Sequence, residues 1–195
     1  MESFSNICLA VTAYGILHSF LASKGFKNRA EQAFGPWVKR YYRLFYNLVA
    51  AASLLPIFWL VWRSSDYPLY LIPVPFVFIT LLLQAAAAGC TLAALLQTGI
   101  LDFLGLAQPL EGAVKPSSPV ETGFYRWMRH PVYTFGLLFI WLTPMMTVNL
   151  LAFYLSATVY ILVGIYFEER KLLEEFGQPY ADYRSRTPML FPPYF

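Results

Sequence analysis

The chain has 195 residues, a length that suits one domain, with 58% of them hydrophobic and only 13% charged. A soluble domain carries roughly 25% charged residues, so this composition, with a mean hydropathy of +0.51, excludes an ordinary water-soluble enzyme and indicates an integral membrane protein. The net charge of +3 is small and gives no basis for a nucleic-acid partner, whereas membrane lipids are implied throughout.

In chain order, 3–23 lacks Asp, Glu, Lys and Arg and is long enough for a first span. The N-terminus lacks the basic n-region and the small-residue cleavage site of a signal peptide, so this span is expected to be retained. A loop expected at 24–43 then carries Lys24, Lys27, Arg29, Lys39, Arg40 and Arg43 against the single acid Glu31. Residues 44–62 form the second span. Pro73 and Pro75 are tolerated only near a helix start, so the third span is expected from about Pro75 to about Gln97. Its run Ala85-Ala86-Ala87-Ala88-Gly89 permits close helix packing within one chain or between chains. The segment 99–129, with Pro109, Pro116 and Pro119, reads as a polar loop with short helices. From His130 to Phe167 the chain is uncharged, too long for one crossing, and Thr143-Pro144-Met145-Met146-Thr147-Val148-Asn149 has turn punctuation. A tight hairpin of two spans, each about 16–18 residues and so marginal for crossing, follows from that.

These elements amount to an all-α fold of about five transmembrane helices ending in a C-terminal helical hairpin and a polar tail. They form one domain at 1–195, with spans one to three in 1–98 and a second half at 99–195. Lys and Arg concentrate in 24–43, 99–129 and the C-terminal tail, while the opposite face holds only Arg63. The excess of Lys and Arg in cytoplasmic loops then puts the N-terminus outside and the C-terminus in the cytoplasm. Cys8 and Cys90 lie in apolar runs, with no disulfide framework and no metal-ligand spacing.

Two polar clusters bracket the hairpin, and polar groups held near lipid are candidates for function. Arg129-His130-Pro131 stands at a helix start, whose partial positive charge favours anions. Arg129 can pair with a carboxylate in bidentate fashion, and His130 and Tyr133 offer hydrogen bonds and ring faces that suit a cationic sulfonium. At the other end, Glu168 and Glu169 begin where the last span leaves the bilayer. Neighbouring helix positions point about 100° apart, so the two carboxylates cannot share one role, and either could face the site. A carboxylate here could take an amine or ribose hydroxyls. Glu174 and Glu175 read as a solvated face. Tyr180 and Tyr183 share a helix face, although an interfacial aromatic belt accounts for them equally well. His18, beside Ser19 inside the first span, is a candidate substrate residue, with a satisfied interior histidine as the plainer reading.

The series GFYRWMRHPVY, a hairpin, EERKLLEEFGQPYADY and TPMLFP resembles the isoprenylcysteine carboxyl methyltransferase family and its bacterial relatives over about the last 75 residues. The front half, with LHSFLAS and YYRLFYN, is similar to bacterial membrane thiol methyltransferases and NnrU-like proteins. That resemblance implies a small helical bundle in a bacterial inner membrane that binds S-adenosylmethionine in a cytosolic pocket of the C-terminal half and takes a small or lipophilic methyl acceptor from the membrane side. It assigns His130, Pro131, Tyr133, Tyr125, Glu169, Tyr180 and Tyr183 to the cofactor, and Glu168, Arg129 and Arg170 to the reaction. The arginine that eukaryotic members carry just before the acidic pair is absent, since Ile165-Tyr166-Phe167 stand there. This departure bears on a prenylcysteine substrate more than on the cofactor. The implied reaction is in-line attack on the sulfonium methyl, with the protein positioning and shielding the reactants. A carboxylate acceptor needs no base, and a thiol must become a thiolate, which nearby cations favour. Two competing readings are an NADPH-dependent membrane reductase, although no GxGxxG occurs here, and a non-catalytic accessory protein of the NnrU-like kind.

Overall fold

The computed structural model describes residues 2–107 and 118–191. Pro109, Pro116 and Pro192, singled out in the sequence, lie outside the described residues. The order is α1 (Glu2–Ala22), α2 (Lys24–Phe34), α3 (Trp37–Arg63), β1 (Pro68–Leu71), α4 (Phe76–Thr98), α5 (Ile100–Leu104), a 3-10 turn (Gly123–Arg126), α6 (Pro131–Trp141), β2 (Met145–Thr147), α7 (Val148–Phe176) and α8 (Gln178–Arg186). Four helices, at Glu2–Ala22, Arg40–Arg63, Phe76–Thr98 and Val148–Phe176, are long and apolar enough to cross a membrane. Their apolar side chains face outward, as with Leu82 at 71% and Trp62 at 90% exposure, which makes sense only where lipid is the solvent. α6 has 11 residues, about 16 Å of helix.

The chain divides into two compact units. One comprises the described residues to Tyr67, those from Ile100 and the stretch Thr147–Ala157. The other comprises Pro68–Gly99, the described residues up to Met146 and those from Thr158. The units interleave in sequence.

In the first unit α1 packs on α3 around Ile7, Val11, Ile57 and Ala152. The basic stretch after α1 is helical where a loop was expected. Ser23 caps it, its Oγ accepting from the Phe26 N–H at 3.2 Å. Phe26, Ala30 and Phe34 recur at helical spacing, and the Phe26 ring stands 4.9 Å from Phe20 and 6.4 Å from Tyr42. Asn149 is fully buried. Its amide donates to the carbonyls of Val61 at 3.2 Å, Ser64 at 3.3 Å and Ser65 at 3.4 Å, satisfying groups that a helix end leaves open.

In the second unit α4 packs on α6, and Gln84 Nε2 donates to the Phe139 carbonyl at 2.8 Å. β1 and β2 pair, continued by Ile72 N–H to Pro144 O at 2.9 Å. No strand was expected here, because strands of 4 and 3 residues are too short to show an alternation. The hairpin is present but unequal. Pro144 keeps α6 from continuing, while α7 runs 29 residues straight through the charged EERKLLEEF segment, all good helix formers up to the closing Phe176.

Candidate active site

The site is built from the start of α6, the later turns of α7 and the whole of α8, all in the second unit. Gly123 (φ +59) occupies a turn where a Cβ would run into Gln97, and the Gln97 side chain accepts the Phe124 N–H at 3.0 Å. This fixes the approach to Arg129. Pro131 opens α6, where a missing N–H costs nothing, and no side chain caps the helix. α8 follows a sharp turn at Gly177 (φ +60). It buries Tyr180 and Tyr183 at 2% and 3% exposure, and the Tyr183 hydroxyl donates to the Tyr125 carbonyl at 2.6 Å.

Glu169 is the centre of the cluster. Arg129 Nε donates to Glu169 Oε1 at 2.6 Å and Arg184 Nε lies 3.2 Å from Oε2. His130 Nε2 is 3.2 Å from Oε1. A carboxylate can only accept, so the neutral imidazole carries its proton on Nε2. Nδ1 is left as a lone pair, 4.0 Å from Glu168 Oε2. Tyr133 donates to Glu168 Oε2 at 2.9 Å, and its ring centroid is 5.7 Å from that of His130. The two carboxylates divide as the helix geometry requires. The Glu169 side chain is 8% exposed and ion-paired, and that of Glu168 is 43% exposed.

Burial lowers the proton affinity of His130 below its ordinary value, against the opposing pull of Glu168 and Glu169 and with a further lowering by Arg129. Its imidazole is therefore neutral at neutral pH. Burial, and after it the Glu169 charge, pushes the Tyr180 hydroxyl up to about 12. Tyr125 and Tyr183 are likewise raised, chiefly by burial, so all three remain protonated.

Of the residues singled out in the sequence, Arg129, His130, Tyr133, Glu168 and Glu169 meet directly, and Pro131, Tyr125, Tyr180 and Tyr183 frame them. Arg170 is exposed and lies over the Tyr166 ring at 6.0 Å, outside the cluster. His18 belongs to the first unit, where it shares a hydrogen bond with the Tyr46 hydroxyl and stacks on Tyr14 at 5.5 Å. Sequence reasoning missed Arg184, Thr187 and Thr134. The one signal for Arg184 was its place beside Tyr183, in a basic last helical turn.

The donor set suits a cationic ligand. Arg129 and Arg184 are matched within the protein by Glu169, while Glu168 presents an accessible carboxylate beside two aromatic rings. Among the described residues no group of His, Cys, Asp and Glu could hold a metal ion.

The model of the phospholipid methyltransferase family matches residues 78–179, a stretch that includes Arg129 to Glu169 and stops just before Tyr180. Among relatives, the chain is 33% identical over 191 residues to the methanethiol S-methyltransferase of Pseudomonas deceptionensis, covering 94% of this chain and 71% of that one. It is 34% identical over 186 residues to the methanethiol S-methyltransferase of Mycobacterium tuberculosis, covering 92% and 74%. It is 36% identical over 194 residues to methanethiol S-methyltransferase 2 of Bradyrhizobium diazoefficiens, covering 96% and 72%. No solved structure matches.

Proposed function

Because the chain belongs to the phospholipid methyltransferase family and is an integral-membrane methyltransferase, we propose that it transfers the methyl group of S-adenosylmethionine to a small thiol. The observation that carries this reading is identity of 33–36% to three proteins named as methanethiol S-methyltransferases, over 92–96% of the chain.

S-adenosylmethionine, when bound, supplies a methyl group on a cationic sulfur. Glu168 and the Tyr133 ring would hold its charged end, with Tyr125, Tyr180 and Tyr183 walling the pocket. The aromatic faces and the accessible carboxylate suit its positive charge. The acceptor thiol loses its proton, which the His130 Nδ1 lone pair is placed to take. A sulfur–carbon bond then forms as the sulfonium–carbon bond breaks, leaving a thioether and S-adenosylhomocysteine. Most of the protein's contribution is orientation and exclusion of water.

The same reading gives the chain five passes. α6 covers about 16 Å, and the residues from Leu142 through β2 complete that pass. The Lys and Arg distribution supports a cytoplasmic face for the C-terminus and the site.

The test is calorimetric titration of the detergent-purified protein with S-adenosylmethionine, S-adenosylhomocysteine and NADPH, followed by methyl transfer to a panel of small thiols and carboxylates. Binding of the first two ligands with thioether formation is expected. Transfer to carboxylates alone would overturn the acceptor, and NADPH binding without either of the other ligands would overturn the reaction.

A further inference from the structure

The segment Thr187–Leu190 presents its main-chain carbonyls one after another to the start of α6. Thr187 O accepts from Arg129 Nη1. Pro188 O accepts from the Arg129 N–H at 2.9 Å and Met189 O from the His130 N–H at 3.1 Å. Leu190 O accepts from Thr134 Oγ1 at 2.9 Å. A helix start has N–H groups with no partner inside the helix. No side chain caps α6, so this strap of backbone supplies the acceptors next to it.

Arg129 is where the strap and the charge cluster join. Its Nη1 also donates to the Arg184 carbonyl at 3.0 Å, and its Nε donates to Glu169 at 2.6 Å. The Arg129 side chain is 9% exposed. A guanidinium has five N–H donors in a fixed fork, and here the Nε and Nη1 sides are turned inward to protein groups. Little of it is left to hold a reactant.

We infer that Arg129 is a positioning residue for methyl transfer, closing the donor pocket by holding the C-terminal strap against α6, without touching the reacting atoms. The inference rests on the donor-site reading proposed above and reassigns Arg129 within it. A merely electrostatic role would be kept by any cation. A positioning role needs the fork, which Lys lacks.

The experiment uses the full chain in lipid nanodiscs and compares Arg129→Lys with Thr134→Val, which removes one strap bond and changes no charge. Two quantities are read. One is hydrogen exchange at the amides of residues 129 and 130, the groups whose acceptors lie on the strap. The other is the dependence of rate on S-adenosylmethionine concentration. For Arg129→Lys, exchange at the two amides should rise at least about tenfold. KM for the donor should rise about tenfold while kcat stays within about threefold, the pattern of lost binding rather than lost transition-state contact. Thr134→Val should shift both in the same direction by less. A fall in kcat of about a hundredfold with the amides still protected would make Arg129 a catalytic residue and overturn the inference, as would unchanged exchange in both variants. If Arg129→Lys does not fold, Thr134→Val and Arg184→Ala carry the same two readings. Wild-type protein that neither binds nor turns over S-adenosylmethionine would sink the donor-site reading and the inference with it. Normal turnover by wild type with no change in the variants would sink the inference alone.

Discussion

The chain has two histidines, and each leans on tyrosine, yet they sit in different company. His18 lies on a membrane-length helix with Tyr14 stacked on it and the Tyr46 ring at 4.4 Å. His130 lies at the start of the short α6 with Tyr133, and there Glu169, Glu168 and Arg129 surround it as well. In the first region aromatic rings account for the placement of an imidazole inside a span. In the second, burial alone would make the charges costly, and they persist because each buried charge has a partner. Such a network of charges, rather than the histidine itself, separates a candidate reaction centre from a polar residue accommodated in the interior.

The largest effect should come from breaking the network at its centre. Glu169→Ala leaves Arg129 buried without its carboxylate, a loss of about 3–5 kcal/mol for a broken buried pair, and it removes the acceptor that sets the His130 tautomer. A marked fall in unfolding temperature together with loss of methyl transfer is expected. A stable, active Glu169→Ala would mean that the cluster is ornamental. Next in size, His130→Asn should lower the rate by about 10²-fold or more if Nδ1 takes the thiol proton, and it should change the response to acid. Because burial holds the folded-state proton affinity of His130 below the ordinary value near 6.5, the unfolded chain binds more protons between the two values. Stability therefore rises with pH across that window and falls on acidification below about pH 6.5. A pH series of unfolding midpoints should show that slope in the wild type and a flatter one in His130→Asn. The smallest effect is expected from His18→Phe, which keeps a ring against Tyr14 and loses one hydrogen bond, worth about 0.5–1.5 kcal/mol, with the rate unchanged within about threefold. A rate loss equal to that of His130→Asn would erase the contrast and bring His18 into the reaction.

Much of this molecule was legible because lipid imposes simple rules on sequence. The first and third spans were expected at 3–23 and from about Pro75 to about Gln97, and helices stand at Glu2–Ala22 and Phe76–Thr98, since uncharged runs of that length have few alternatives. Charge was a poorer guide where helix and loop both suit it. The stretch 24–43 read as a loop from its lysines and arginines, although Ser23 and the spacing of Phe26, Ala30 and Phe34 carry the helix. The pairing of the Arg129-His130 motif with Glu168-Glu169 across a hairpin could be anticipated, because a span that goes out and returns brings its flanks together. The division of labour between the two glutamates could not be. It depends on which way α7 is rotated, and Arg184 from another helix completes that choice. Nor does sequence show the strap, since its contacts are made by backbone carbonyls, which every residue carries alike.

One consequence of the long α7 concerns depth. Glu168 stands about 30 Å along the helix axis from Val148, close to the thickness of a bilayer's hydrocarbon layer. On the proposed topology the helix works as a depth gauge, delivering its carboxylates at the level where oil gives way to headgroups. On the proposed reaction this is the plane where a water-borne ionic donor and an acceptor dissolved in lipid come within reach of one another. The number of residues between Val148 and Glu168 then tunes the enzyme to its membrane, and bilayer thickness becomes a variable of the rate in the way that pH or temperature is.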